Sequence, residues 1–152
     1  MNDSSIMIRL ARVDEIPQIR ALLAKCELPW EDVTESAGIG FLVAVATNGN
    51  IVGSVGLELS GTVGLLRSLA VAEEVRGMKI GQALVAAAEA IAREQAVDAL
   101  YLLTTAASQF FARRGYEVMD RSGAPEVLQR SSQFTSICPA SAVCMVKAND
   151  RP

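Results

Sequence analysis

The stretch that most restricts the architecture is Ala70 to Leu84, "AVAEEVRGMKIGQAL". An apolar run, "LLRSLAV", leads into it, stops at two acids, turns through Arg76 and Gly77, and enters an Ala-rich helical pattern at Gly81. A strand that feeds a glycine turn and then a helix is the unit from which α/β domains are built. Such a turn also presents unpaired backbone N–H groups and the positive end of a helix dipole, which together attract a phosphate or pyrophosphate, and Arg76 adds a cation beside it. A P-loop would need Lys-Ser/Thr after the glycines, and a dinucleotide fold would need three spaced glycines and an acid about 20 residues on; neither is present. A plain glycine turn entering a core helix stays open beside the anion site, because short glycine motifs discriminate weakly.

The flanking pattern alternates between the two periods. Ile6, Ile8 and Leu10 alternate as in a strand, and Asp14 is expected to cap a helix carrying Ile16, Ile19, Leu22 and Leu23. "LPWEDV" reads as a short helix or a loop. "FLVAVA" and "IVGSVGLEL" flank "TNGN", a hairpin signal, and a turn at Gly61 leads into "VGLLRSLAV". Ile80, Leu84, Ala88 and Ile91 mark one face of a helix running to about Gln95. "ALYLLTT" is a buried strand, "AASQFFARRG" a helix ended by Gly115, "YEVMD" a strand, residues 123–131 one more helix, and "SAVCMVK" the last strand. This gives one α/β domain over 1–147 with a mixed, partly antiparallel sheet, and a frayed tail over 148–152.

Composition removes several functions. With 152 residues and 51% hydrophobic, the chain holds one core and no second catalytic domain. A net charge of -3 argues against nucleic-acid binding, which needs a clustered basic face. No stretch is apolar for the roughly 18 residues of a membrane span, and "MNDSSIMIRL" lacks a signal peptide's charged start and apolar core, so the expected location is the cytoplasm. The absence of histidine excludes a Ser-His-Asp or Cys-His nucleophile. Cys26, Cys138 and Cys144 have no metal-ligand spacing and suggest neither a disulfide framework nor a metal site.

"LRSLAVAEEVRGMKIGQALVAAAEAIAR" resembles the acetyl-coenzyme A site of the GNAT superfamily of N-acetyltransferases: a strand, then Arg/Gln-x-x-Gly-x-Gly/Ala, then a long helix. The resemblance implies a GNAT-type central sheet that splays between its fourth and fifth strands, with helices on both faces. It implies that Leu69, Ala70 and Val71 pair their backbone with the pantetheine arm. The backbone of Gly77, Met78, Lys79, Ile80, Gly81, Gln82 and Ala83 would hold the pyrophosphate beside Arg76. Lys79 replaces the pattern's first glycine, so an α-compatible backbone is expected there. "ALYLLTTAASQFFARRGYEV" is similar to the acetyltransferase domain of N-acetylglutamate synthases. "LLRSLAV", "LYLLTT", "FFARRGY" and "CPASAVCM", in that order, are more similar still to arsenic-resistance N-acetyltransferases. Those resemblances imply acetyl transfer from acetyl-CoA, as cosubstrate, to a small-molecule amine, an amino acid or an arsenic- or phosphorus-containing analogue.

Phe111 stands where many relatives carry a tyrosine over the coenzyme sulfur, and a phenyl ring cannot protonate a thiolate. It is expected to contact the cofactor, with protonation falling to water or to Thr104, Thr105 or Ser108. The synthases' glutamate-binding arginines are replaced by "PASAV", which disfavours glutamate. Glu58, on the strand before the cofactor strand, is the candidate general base, the other reading being an exposed carboxylate. Arg67 is read as a clamp for a substrate carboxylate or oxyanion, or else as a salt-bridge partner; Ser68, Thr104 and Thr105 are read as substrate contacts. "PWED" offers a lid. An arsenic association invites a sulfur site at Cys138 and Cys144, but small thiols are common in cores and Cys144 falls within a strand. Relatives often form homodimers, and no interface is legible. A non-catalytic acetyl-CoA-binding or arsenic-responsive module is the alternative function.

Overall fold

The computed structural model describes residues 6–35 and 37–149. Strand β1 (Met7–Leu10) is followed by helix α1 (Ile16–Lys25) and by strands β2 (Gly40–Val45), β3 (Ile51–Ser60) and β4 (Val63–Val71). Helix α2 (Ile80–Glu94) leads to strand β5 (Ala99–Thr104) and the short helix α3 (Ser108–Ala112). Strand β6 (Glu117–Met119), helix α4 (Glu126–Gln129) and strand β7 (Val143–Ala148) complete the chain. The strands make one mixed sheet in the order β1-β2-β3-β4-β5-β7-β6, antiparallel throughout except for β4 against β5.

Strand alternation distributes the apolar side chains to two faces. Leu42 and Ala44 of β2 point into a core with α2, while Phe41 and Val43 point into a second core with Ile19, Leu22 and Leu23 of α1. Along α2 the buried positions Ile80, Leu84, Val85, Ala88 and Ala92 recur at helical spacing and pack on β2, β3 and β4. Leu65 and Leu66, adjacent in β4, point to opposite faces; Leu65 joins Leu128, Phe134 and Cys144 under the α4 segment. Helices therefore cover both faces, as expected.

Pairing between β4 and β5 is confined to Val63, Gly64 and Leu65 against Ala99, Leu100 and Tyr101. At Gly64 a Cβ would lie 2.8 Å from Leu100 Cδ2 and 2.9 Å from Leu59 Cδ2, so only glycine lets the strands approach this closely. Beyond Leu65 the strands diverge, and β5 stays in register with β7 along its whole length. The expected splay is thus present, its closed end at Gly64.

Several local expectations change. Asp14 does not cap α1; the buried Glu15 caps the turn before it, accepting the Arg12 N–H at 2.8 Å and two hydrogen bonds from Arg9 at 2.9 and 2.7 Å. "LPWEDV" is a loop with turns rather than a helix, and the helix expected over 123–131 shrinks to α4, followed by a π-type turn at Gln133–Ile137. Ala148 completes β7, and Asn149 is buried, its side-chain amide donating to the Val97 carbonyl and its N–H to the Asp98 carbonyl. Of the expected tail, residues 150–152 lie outside the described residues, as do residues 1–5 of the N-terminal stretch. No helix among the described residues is long and apolar enough to cross a membrane.

Candidate functional site

The splay begins with an irregularity in β4. Gly56 pairs with Arg67 and Ser54 with Ala70, so β4 spends one more residue than β3 between these pairs, a β-bulge. Ser68 adopts φ +57, the left-handed region, and its carbonyl accepts a 2.9 Å hydrogen bond from the fully buried Ser54 hydroxyl. Beyond the bulge Ala70 pairs with Ser54, and the Ala72 N–H donates to the Val52 carbonyl. Backbone groups alternate along a strand, so Leu69 and Val71 direct theirs to the side that β5 has left. The expectation of a free Ala70 backbone is corrected: Ala70 spends it on β3.

The turn into α2 has Arg76 extended, Gly77 at φ +91 and Lys79 at φ +63, ψ +23. Lys79 is therefore left-handed, not α-compatible; it adopts the conformation the pattern's glycine would supply, at a cost of roughly 1 kcal/mol for a residue with a Cβ. At Gly77 a Cβ would meet nothing within 4 Å, so the requirement there is conformational. The first helical bond runs from the Ala83 N–H to the Lys79 carbonyl, so the N–H groups of Ile80, Gly81 and Gln82 precede the ladder. With the positive end of a 15-residue helix behind them, these groups and Lys79 suit a diphosphate. Met78 packs on the α2 core. Arg76 turns back instead: its Nε donates to the Val71 carbonyl at 3.0 Å, and its Nη2 lies 3.7 Å from Cys26 Sγ.

Beside the splay lies a cleft of about 520 Å³, lined by Leu28, Pro29 and Trp30 on one side and by Leu102, Phe111 and Pro139 on another. Arg67 and Ser68, which also line it, belong to a charge network that joins four segments. Arg67 donates from Nη1 and Nη2 to the two oxygens of Asp32 at 2.6 Å each, from Nη1 to Glu58 Oε2 at 2.8 Å, and from Nε to the Ser68 hydroxyl at 2.9 Å. Ser132 donates to Asp32 as well. The guanidinium is 0% exposed, whereas Asp32 is 15% and Glu58 26% exposed. Burial alone would raise the Asp32 pKa, but the bonds from Arg67 and Ser132 outweigh it and hold the carboxyl below its ordinary range. Burial opposes the charge on Arg67 too, and the two carboxylates overcome it, raising that pKa.

Three other expected residues, Thr104, Thr105 and Phe111, line the cleft itself. Thr104 Oγ1 accepts the Ala107 N–H at 3.0 Å, a cap on the turn into α3. Phe111 is buried, stacks edge-on with Phe110 and Tyr116, and shows an edge to the cleft. Glu58 Oε1 carries no hydrogen bond among the described residues. Cys138 lines the cleft with its thiol 3.2 Å from Gln133 Oε1, and burial pushes its pKa up, as it does for the core residue Cys144. Neither is an activated thiolate. Asp32 and Ser132 join the site without any expectation from the sequence. The acid in "PWED" is the only signal, since a partner 35 residues away leaves no spacing to read.

The model of the acetyltransferase (GNAT) family matches residues 10–119. An uncharacterized N-acetyltransferase of Chlorobaculum tepidum is 38% identical over 79 residues, 52% of this chain and 48% of that protein, so the match spans about half the length of this curated relative. The N-acetylglutamate synthase of Neisseria gonorrhoeae, in complex with coenzyme A and N-acetyl-glutamate, aligns with a TM-score of 0.80 at 22% identity over 96% of this chain and 35% of that one. A Mycobacterium tuberculosis protein in complex with CoA aligns at 0.75 and 22% identity over 93% and 98% of the two chains. The structural likenesses establish the fold.

Proposed function

This chain belongs to the acetyltransferase (GNAT) family, and from that premise we propose that it moves the acetyl group of acetyl-CoA to the primary amine of a small molecule, by direct attack in a ternary complex. The observation that carries the proposal is the splay. Leu69 and the Val71 N–H offer backbone that no strand pairs, beside an α2 N-terminus suited to a diphosphate, while the Val71 carbonyl accepts from Arg76, and the cleft lined by Arg67, Ser68 and Leu69 opens next to them. Leu69 and Val71 would hold the pantetheine arm, and the backbone of Gly77 to Ala83 with Lys79 the diphosphate. When bound, acetyl-CoA supplies the thioester carbonyl.

Overall, an ammonium ion and a thioester give an amide, a free thiol and one proton. Glu58 would take that proton, directly or through a water; in support, Arg67 holds its Oε2 while Oε1 carries no hydrogen bond among the described residues. Neither Cys138 nor Cys144 has the depressed pKa of a nucleophile, which supports direct transfer over an acyl-enzyme. The resemblance to arsenic-resistance acetyltransferases supports an amino acid or an arsenic- or phosphorus-containing analogue as acceptor. That acceptor requires Arg67 to open its fork to an oxyanion, and Asp32 and Glu58 already close it.

A non-catalytic acetyl-CoA-binding module is the second reading, favoured by the buried Phe111 where a proton donor would stand. Release of free thiol from acetyl-CoA over a panel of primary amines, with calorimetric CoA binding in parallel, separates the two. Amine-dependent turnover supports the transferase. Binding of CoA without turnover on any amine leaves the binding module.

A further inference from the structure

Resting on the transferase reading, we infer that Gln133 determines specificity: its side-chain amide nitrogen donates a hydrogen bond to an uncharged carbonyl oxygen carried by the acceptor amine. Gln133 lines the cleft, although it is only 5% exposed. The oxygen end of its amide is already used, since Oε1 accepts from the Cys138 thiol at 3.2 Å. Its Nε2 donates to no group among the described residues. No buried side-chain nitrogen or oxygen among them lacks a partner, so Nε2 belongs to the small surface that Gln133 keeps open. A primary amide in the cleft wall, with its oxygen anchored and its N–H groups unspent, is a donor waiting for a ligand's oxygen.

The amide is held before any ligand arrives. The Cys138 N–H donates to the Gln133 carbonyl at 3.1 Å across the π-type turn and joins the same two residues a second time. On one side of Gln133, Ser132 donates to Asp32; on the other, Phe134 is buried in the cluster with Leu65 and Leu128. Burial raises the Cys138 pKa and keeps the thiol protonated, so the sulfur has a hydrogen to give and turns the amide's oxygen, not its nitrogen, toward itself. A donor fixed in this way loses little freedom on binding. Arg67 is the only cationic residue lining the cleft among the described residues, and its side chain is 0% exposed and bonded to Asp32 and Glu58. A carboxylate brought to Gln133 would meet no free cation in that lining, and an unpaired charge is costly to desolvate. A neutral carbonyl needs only the donor already there. Leu28, Trp30 and Phe111 in the walls suit an apolar body beside it, so the fitting acceptors are primary amines that carry an amide or ester carbonyl.

The test pairs amines that differ by a carboxamide: phenylalaninamide with phenethylamine, and β-alaninamide with ethylamine. The first sets the carbonyl on the amine-bearing carbon, the second one carbon further. The measured quantity is kcat/KM at saturating acetyl-CoA for wild type, Gln133→Met, Cys138→Ala and Cys138→Ser, with calorimetric CoA binding as the check on folding. Wild type is to favour the carbonyl member of at least one pair. Because a carboxamide also makes the amine easier to deprotonate, the deciding figure is the change in that ratio. Gln133→Met, close in size but without a donor, is to shrink it roughly three- to tenfold. Cys138→Ala releases the anchored oxygen and is to shrink it in part, and the hydroxyl of Cys138→Ser is to restore it. A wild-type preference for the plain amines, a ratio that Gln133→Met leaves unchanged, or an equal loss on both members of a pair overturns the inference while the transferase stands. Absence of turnover on any primary amine, with CoA still bound, overturns the transferase reading itself. Should Gln133→Met not fold, the Cys138 variants decide: a ratio lowered by alanine and restored by serine supports the inference, and one unchanged in both overturns it.

Discussion

Arg67 and Asp32 stand 35 residues apart in the chain and meet through two parallel hydrogen bonds of 2.6 Å, both inside the protein. The pair fastens the loop after α1 to the bulged part of β4. Burying such charges costs solvation, and removing one partner leaves the other uncompensated.

Arg67→Ala is therefore to lower the unfolding free energy by about 3–5 kcal/mol, measured by urea denaturation. Arg67→Lys keeps the charge but loses the fork and should fall between the two. A loss under about 1 kcal/mol for the alanine variant would show that the network contributes little.

Glu58→Gln preserves shape and one hydrogen-bond acceptor but cannot take a proton. Its kcat is to fall by roughly 10²-fold or more, with the affinity for CoA unchanged by calorimetry. An unchanged kcat would assign the proton to another group.

Lys79 adopts a left-handed backbone that glycine enters freely. Lys79→Gly is to raise stability by about 0.5–1 kcal/mol, the relieved strain exceeding the greater flexibility of the unfolded chain. Lys79→Ala, which keeps the strain, should show no such gain. Equal thermal midpoints for glycine and alanine variants would argue that the turn is unstrained.

Hydrogen bonds from the Arg9 side chain and then the Arg12 N–H hold the Glu15 carboxyl down at about 2. A carboxyl depressed in the folded state binds protons more readily once unfolded, so its contribution is whole above the ordinary carboxylate range and fades as the pH falls toward 2. Wild type should lose stability over that window more steeply than Glu15→Gln, as followed by thermal unfolding at stepped pH. Parallel curves would remove Glu15 as the cause.

The elements legible in the sequence are those governed by local rules. The α2 face is written in Ile80, Leu84 and Ala88, the β2–β3 hairpin in Asn48-Gly49, and the strand-turn-helix unit in the spacing of apolar run and glycine. The candidate base is legible because Glu58 interrupts an apolar strand. The role of Arg67 is not, because the groups that occupy it come from β3 and from the loop after α1, and pairing across the sheet has no period in the chain. Lys79 is illegible for a different reason: a backbone conformation forced by tertiary context overrides the preference of the residue that carries it. Glu15 cannot be told from Asp14 as the cap because the two acids are adjacent and only burial distinguishes them.

The abrupt end of β4–β5 pairing at Leu65 also has a kinetic meaning. The amide hydrogens of Leu69 and Val71 belong to a central strand of a seven-stranded sheet yet face no neighbouring strand, so they should trade with solvent deuterium as readily as those of an outer strand. Their neighbours Ala70 and Ala72, bonded to β3, should trade slowly. The interior of the sheet thus has a fast and a slow residue in alternation, and a molecule laid along the gap would make all of them slow.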